Sequence, residues 1–257
     1  TRATTTSTTT TRYFNSSKTL SNSTTPKISK IKSYEHNNAL HFIISSNEDK
    51  KDQKKSIILS PSFFADEEEK DVVLESIDDD SSQDVVLESI SSRIEARYGL
   101  DNQAQFVGGM GENDGGVWFV ADTLDDFDTL DYWEQIRDVI RNVKENRHGI
   151  PFGLYTSGII DNKELASDFK GSIGISSIQV TLGAADPKSY GDIISINHEN
   201  KSLSNAMFGE VCNFIVLSSE SGFPVTAALA GGKHAAPGNE LAKALGAIDT
   251  VVYDQIK

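Results

Sequence analysis

The sequence predicts an α/β protein, an open (βα)6 partial TIM-like barrel with an extended N-terminal tail. Short apolar runs rich in Val, Ile and Phe alternate along the chain with segments of helical periodicity. The alternation is regular, and it begins only after a long stretch of different composition at the N-terminus. Such a pattern favours parallel strands joined by right-handed helical crossovers, and the spacing fits an open partial barrel.

Six strands alternating with five helices are predicted. The predicted strands cover residues 56–60, 105–109, 151–157, 177–183, 224–230 and 250–253. The predicted helices cover residues 66–97, 130–146, 163–169, 208–218 and 240–245. A doubly wound sheet is the alternative, because both folds need buried Val- and Ile-rich strands with helices outside.

Local signals support individual elements. The run Ser56–Ser60 ends at Pro61, which terminates a strand. The helix over 130–146 carries an apolar stripe at helical spacing, made by Trp133, Ile136, Val139, Ile140 and Val143. Within the long first helix the heptapeptide Asp-Val-Val-Leu-Glu-Ser-Ile occurs twice, at 71–77 and at 84–90. We interpret the repeat as a local duplication that lengthens this helix.

Residues 1–39 are predicted to be a low-complexity basic tail or the remnant of an organellar transit segment, and residues 40–257 the folded domain. Thr, Ser, Asn and Lys dominate the start, and no acidic residue precedes Glu35. A simple low-complexity linker is the alternative. The β-branched run over residues 4–11 is a poor helix former, which favours a plastid (the chloroplast stromal side) over the mitochondrial matrix.

Charge restricts the classes of partner. The net charge is −14, and because the first 34 residues carry +6, the remainder carries −20. An acidic body of this kind argues against a nucleic-acid interface, since phosphates would be repelled. The sequence has no run of 18 apolar residues, so no transmembrane segment is predicted. We expect protein subunits of a larger organellar complex, contacted by the tail and the acidic surface, in a protein that is soluble or peripheral to a membrane complex.

Three segments carry a resemblance to a known family. They are Phe106–Glu112 (FVGGMGE), His148–Gly158 (HGIPFGLYTSG) and Gln179–Tyr190 (QVTLGAADPKSY). In order and spacing they resemble the second, third and fourth strand regions of the radical S-adenosylmethionine superfamily, whose core is a (βα)6 partial barrel. The resemblance implies vestigial cofactor-binding residues at the strand ends, namely Gly108, Gly109, Glu112, Thr181 and Gly231.

The feature that defines that family's chemistry is missing. Its members hold a [4Fe–4S] cluster with a C-x-x-x-C-x-x-C loop after the first strand, whereas this loop reads Pro61-Ser62-Phe63-Phe64-Ala65-Asp66-Glu67. The only cysteine in the sequence is Cys212. We therefore expect no iron–sulfur cluster, no catalytic residues and no metal site in a non-catalytic subunit, a pseudoenzyme of a photosynthetic or respiratory type of assembly. The alternative is a small-molecule-binding protein or enzyme that retains an S-adenosylmethionine-like pocket; the bulk of Phe63 and Phe64 favours a filled pocket instead.

Other chemistry-bearing residues receive structural interpretations. His148 precedes a strand and follows a helix, where it suits a helix C-terminus. His234 follows two glycines at a strand end, where barrels place their sites. The carboxylates between residues 112 and 131 do not follow an EF-hand pattern and are typical of a solvated loop. Cys212 is expected to be a small core residue.

Overall fold

The computed structural model describes residues 28–46, 58–61, 65–75, 83–98, 115–121, 130–146, 150–158, 174–194 and 201–254. The strands are β1 (Ile28–His36), β2 (Ala39–Ser46), β3 (Asp71–Glu75), β4 (Gly116–Ala121), β5 (Phe152–Thr156), β6 (Ser177–Gly183), β7 (Val225–Ala230) and β8 (Asp249–Tyr253). The α-helices are α1 (Gln83–Tyr98), α2 (Leu130–Asn146), α3 (Pro187–Ile193), α4 (Lys201–Glu220) and α5 (Ala235–Ala244). Two 3-10 turns cover Glu67–Glu69 and Gly232–His234.

The described strands form one open sheet in the order β3-β1-β2-β4-β5-β6-β7-β8. The strand β1 pairs antiparallel with both β3 and β2, and the strands β2, β4, β5, β6, β7 and β8 run parallel to one another. The parallel strands follow one another in chain order without a reversal. The predicted α/β class with a mainly parallel sheet is therefore confirmed.

A hairpin begins the sheet. The two turn residues Asn37 and Asn38 have φ values of 48° and 64°, the left-handed geometry of the tight turns that match strand twist. Residues 28–36 were predicted to lie in the tail, whereas in the structure they form β1, between β2 and β3. Ile31 and Tyr34 of this strand are 0% and 3% exposed. The described sheet thus begins at Ile28, and β1 contributes to its core.

Two predicted elements differ from those observed. Residues 58–60 of the predicted first strand are not in a strand, and the first parallel strand is β2, which contains the apolar run from Leu40 to Ile44. The single helix predicted over 66–97 is instead a 3-10 turn, β3 and α1. The first copy of the repeated heptapeptide thus contributes β3, because β1 offers its backbone as a pairing partner there.

Most of the other predictions are confirmed within a few residues. The bounds of α2 and β6 are as predicted, and β5, β7, α5 and β8 overlap the expected ranges, as does a longer α4. The strand expected at 105–109 and the helix expected at 163–169 lie outside the described residues. The strand β4 was missed. The end of the third segment, Asp186–Tyr190, opens the short helix α3, capped by the Asp186 carboxylate.

The four longer helices contact the same face of the sheet. In α1, Arg93 Nε donates to Ser33 Oγ of β1 at 3.1 Å. In α2, the Lys144 ammonium lies 5.8 Å from the centroid of the Phe152 ring of β5. The backbone of α4 reaches the end of β5 at Gly158, and α5 packs Gly238 on Leu229 of β7. Strand register places all these contacts on one face, where Phe42, Phe119 and Phe152 stack in a row.

The opposite face of the sheet carries the polar residues and is called the polar face below. Register places on it, among others, His41, Trp118, Tyr155, Gln179, Thr181 and Tyr253. None of the described helices has the length and apolar character required to cross a membrane.

Candidate functional site

The polar face is the part of the described fold where hydrogen-bonding groups gather, and its groups are buried. His41, Gln179 and Thr181 are 1%, 2% and 1% exposed, in strands that alternate with fully apolar positions on the helix-covered face. Buried polar groups require partners, because an unpartnered group in the interior costs on the order of 1–3 kcal/mol. The partners of these groups therefore indicate what this face does.

An aromatic row crosses the first half of the polar face. The ring centroids of Tyr34 and His41 are 4.6 Å apart, those of His41 and Tyr155 5.7 Å, and those of Tyr155 and Trp118 4.7 Å. The Tyr34–His41 and His41–Tyr155 pairs are both stacked at 22°, whereas His36 meets His41 edge-on at 6.1 Å between centroids. Gly153 makes room for the row, since a Cβ there would lie 2.5–2.6 Å from three carbons of the Trp118 indole. The row binds β1, β2, β4 and β5 together by aromatic packing.

His41 lies within this row in an unusual state for a buried imidazole. Neither of its ring nitrogens has a hydrogen-bond partner of good geometry among the described residues. Burial lowers the pKa of His41 to about 3, with a further lowering by the nearby charge of His36. A contact with the His36 backbone acts in the opposite direction and is the smallest of the three effects. The imidazole is therefore neutral at neutral pH, and it serves as a flat aromatic group between two tyrosines.

On the second half of the polar face, the chain itself covers β6. Residues 58–61, called the strap below, are all buried and lie against β6. The Leu59 amide donates to Thr181 Oγ1 at 3.0 Å, and Gln179 Nε2 donates to the Leu59 carbonyl oxygen at 3.0 Å. Gln179 Nε2 also donates to the Tyr253 hydroxyl at 3.1 Å, which links β6 to β8. The Thr181 hydroxyl and the Gln179 side-chain amide of β6 thus both bind the main chain of Leu59 in the strap.

The structure describes two of the five residues that the resemblance suggests for a cofactor. Thr181 lies on β6, where its hydroxyl accepts the hydrogen bond from the strap. Gly231 follows β7, donates its amide to the Tyr253 carbonyl at 2.9 Å, and is covered by Asp254. Both residues are thus engaged by other parts of the chain. The other three, Gly108, Gly109 and Glu112, lie outside the described residues.

The remaining candidates have structural partners. Asp186 accepts from the Lys188 and Ser189 amides at 3.1 and 3.0 Å, and the hydrogen bonds with Ser189 contribute most to the lowered pKa of its carboxyl. His234 ends the turn that leads into α5 and contributes a smaller charge effect to Asp186. Cys212 on α4 is partly buried, and burial raises the pKa of its thiol. In the described part of the chain, no three His, Cys, Asp or Glu residues are grouped as a metal site would need. His148 lies outside the described residues.

Sequence reasoning missed His41 and Gln179, although a signal for both is present. The segment Leu40-His41-Phe42 and the segment Ile178-Gln179-Val180-Thr181-Leu182 place polar residues at alternate positions between apolar ones. Alternation within an otherwise buried parallel strand indicates a second face that needs polar partners. Comparison with known proteins adds no relative: no family model matches the chain, and no curated protein matches its sequence.

Proposed function

We propose that this protein is a non-catalytic, radical-SAM-like binding subunit of a plastid or mitochondrial multiprotein complex. The proposal rests on the strap, because the main chain of Leu59 forms hydrogen bonds with the hydroxyl of Thr181 and the side-chain amide of Gln179. A substrate or cofactor bound to this part of the polar face would have to displace a buried segment and replace its hydrogen bonds. A face filled by its own chain suits a scaffold better than an enzyme.

Strand order and helix placement support a (βα)6 partial barrel as the scaffold. The parallel strands β2, β4, β5, β6, β7 and β8 lie in chain order, and the four longer helices contact one face. A doubly wound sheet would reverse its strand order at a switch point and carry helices on both faces. In this scaffold β1 and β3 extend the sheet beyond β2, on one side of the six parallel strands.

The residues do not fit the cluster on which radical chemistry depends. Three thiolates from one loop after the first strand hold the family's [4Fe–4S] cluster, whereas here no cysteine follows β2, the first parallel strand, until Cys212. Cys212, the only cysteine of the sequence, lies on α4, which packs on the helix-covered face. One thiol cannot supply three ligands, so no radical step is assigned to this chain.

The alternative function is S-adenosylmethionine binding without the cluster. It needs Thr181 and Gly231 to be available, whereas Thr181 is bound to the strap and Gly231 is covered by Asp254. This function would therefore require the strap to leave and Gln179 to lose its partner Leu59. That cost argues against the alternative.

Iron loading and calorimetry of the full chain test both functions. We expect no stoichiometric cluster by absorbance and iron analysis after incubation with iron and sulfide, and no saturable heat with S-adenosylmethionine at millimolar concentration. Thr181→Val serves as the matched variant, since Val is close in shape and removes the hydroxyl. A stoichiometric cluster would overturn the non-catalytic proposal. Saturable binding that Thr181→Val weakens would establish the alternative in its place.

A further inference from the structure

The last parallel strand, β8, is less covered on its helix side than the two strands before it. On β6 and β7 the side chains that face the helices are all 0% exposed: Ile178, Val180, Leu182, Val225, Ala227 and Leu229. The register of β7 with β8 continues this face onto Thr250 and Val252. There Thr250 is partly exposed, and Val252 is 41% exposed. Parallel strands normally have both faces covered, so β8 presents an apolar face that the described helices leave open.

Ile248 and α5 complete this surface. Ile248, two positions before Thr250, is 70% exposed, and its amide donates to the Val225 carbonyl oxygen at 2.9 Å. The helix α5 bounds the surface on one side, where Thr250 Oγ1 donates to Asn239 Oδ1 at 3.1 Å. Ile248 and Val252 are two of the four large exposed apolar side chains in the described part of the chain. The surface formed by Asn239, Ile248, Thr250 and Val252 is called the α5–β8 flank below.

Exposed carboxylates border the α5–β8 flank. Asp249 and Asp254 lie at the two ends of β8, and Glu240 follows Asn239 on α5. None of these three carboxylates forms an ion pair with another residue in the described part of the chain. Lys243, one turn after Asn239, is exposed on the same helix, so three carboxylates and one ammonium give the border a net charge of −2. A second copy of this chain would bring the same carboxylates, whereas a partner with lysine or arginine complements them.

We infer that the α5–β8 flank binds a basic amphipathic helix of a partner protein. The inference rests on the proposed function of a binding subunit, and it names the chemistry of the partner. A helix suits this face because helices cover the same face of the neighbouring parallel strands. Ile248 and Val252 are four positions apart, about 13 Å along a strand, which equals about two and a half helical turns. A helix with an apolar stripe and flanking cations therefore covers both side chains and reaches Asp249 and Asp254.

The test is the affinity of the purified full chain for a synthetic amphipathic helix of leucine and lysine, measured by fluorescence anisotropy of the labelled peptide. A scrambled peptide of the same composition has the same charge without the stripe, and it should bind much more weakly. The double variant Ile248→Ser with Val252→Ser should raise the dissociation constant about tenfold, because it removes the apolar contact. Its matched control is Val72→Ser with Val85→Ser, at positions 51% and 38% exposed elsewhere on the molecule. This control should bind as the wild type does.

A second pair of variants tests the charges at the border of the flank. Asp249→Asn with Asp254→Asn should weaken binding and reduce its dependence on salt, because both carboxylates then lose their attraction for the peptide. The matched control, Glu210→Gln with Glu220→Gln, removes two exposed carboxylates from α4 and should change the affinity far less. Circular dichroism and melting temperature establish that each variant is folded before it is compared.

Selective weakening by the variants of the α5–β8 flank would support the inference. Absence of saturable binding, or equal binding of the scrambled peptide, would overturn it. So would equal weakening by the control variants, because the peptide would then respond to the overall negative charge. Failure here is separate from failure of the proposed function, since a chain that forms no cluster and does not bind the peptide leaves the non-catalytic proposal intact.

Discussion

A single buried histidine shows how stacking offsets the cost of burying polar groups on the polar face. His41 is enclosed by aromatic rings on both sides and has no good hydrogen-bond partner among the described residues. The cost of its two unsatisfied nitrogens is offset by stacking, since aromatic pairs contribute roughly 0.5–1.5 kcal/mol beyond their buried area. Stacking does not need a charge. The residue is therefore stable only while it remains neutral.

The low pKa of His41 makes stability depend on pH in a defined window. An unfolded histidine titrates near 6.5, and burial lowers the pKa of His41 to about 3. Between these values the unfolded chain binds a proton that the folded chain does not, so stability falls as pH falls. We expect His41→Phe to remove about 2.5 kcal/mol of the destabilisation between pH 7.5 and 4.5, measured by urea unfolding. At pH 7.5 the variant should be at least as stable as the wild type.

The control for this prediction is His36→Gln, at an exposed position of the hairpin. It removes an imidazole that meets His41 edge-on at 6.1 Å between ring centroids and whose charge contributes the smaller lowering of the His41 pKa, while it leaves the rings stacked on His41 in place. Its effect on the pH dependence should be much smaller than that of His41→Phe. Equal pH dependence in His41→Phe and the wild type would show that His41 accepts a proton in the folded state.

At the scale of elements, the repeated heptapeptide shows why the fold was only partly predictable. The residues Asp-Val-Val-Leu-Glu form β3 at positions 71–75 and the start of a helix at positions 84–88. The two copies have the same intrinsic secondary-structure preference, so their tertiary partners determine which copy forms a strand and which forms a helix. Val72 and Leu74 find β1 as a partner. In the second copy Val86 and Ile90 are buried at helical spacing.

Elements with a strong local signal were predicted well. The helical stripe of α2 and the apolar run of β6 predicted both elements with their bounds. β4 was missed because the second strand was predicted at 105–109, and β1 because its polar composition resembles that of the tail. The candidate site was predicted less well. Thr181 was chosen from a family resemblance, whereas its observed partner is Leu59, 122 positions away in the chain. No local pattern encodes such a contact.

Packing between β4 and β5 provides a second prediction. A methyl group at Gly153 would overlap the Trp118 indole, which is only 4% exposed and lies at a tilt against Tyr155. We expect Gly153→Ala to lower the free energy of unfolding by about 2 kcal/mol through overpacking. In a Trp118→Leu background the same change should cost less, because the space is then open. Denaturant unfolding of the two single variants and the double variant measures this coupling.

Gly209→Ala is the matched control for Gly153→Ala. Gly209 is an exposed residue of α4, and a Cβ there would meet no atom within 4 Å. Alanine in a helix is more stable than glycine by about 0.5–1 kcal/mol, so this variant should be neutral or slightly stabilised. Equal destabilisation at the two positions would contradict the packing argument.

At the scale of the whole molecule, a basic N-terminal segment is followed by an acidic remainder. The structure shifts the boundary between these two parts of the chain. Lys30 and Lys32 belong to β1, so the basic segment outside the described sheet is residues 1–27, with a net charge of +4. The remaining residues carry −18. A Thr-rich segment with few apolar residues has little to contribute to a hydrophobic core. We therefore propose that this segment serves association with a partner.

Two truncations separate assembly from folding. Deleting residues 1–27 should leave the melting temperature nearly unchanged and should reduce co-purification with the complex, because the sheet keeps all of β1. Deleting residues 1–36 should greatly reduce the melting temperature or prevent folding, since it removes Ile31 and Tyr34 from the core and the strand between β2 and β3. Association through lysine and arginine should also weaken as salt is raised, because exposed charges are screened within about 10 Å at 0.1 M salt. An unchanged yield of complex after the shorter deletion would show that residues 1–27 are not the anchor. A large loss of melting temperature in the same variant would show that they belong to the fold.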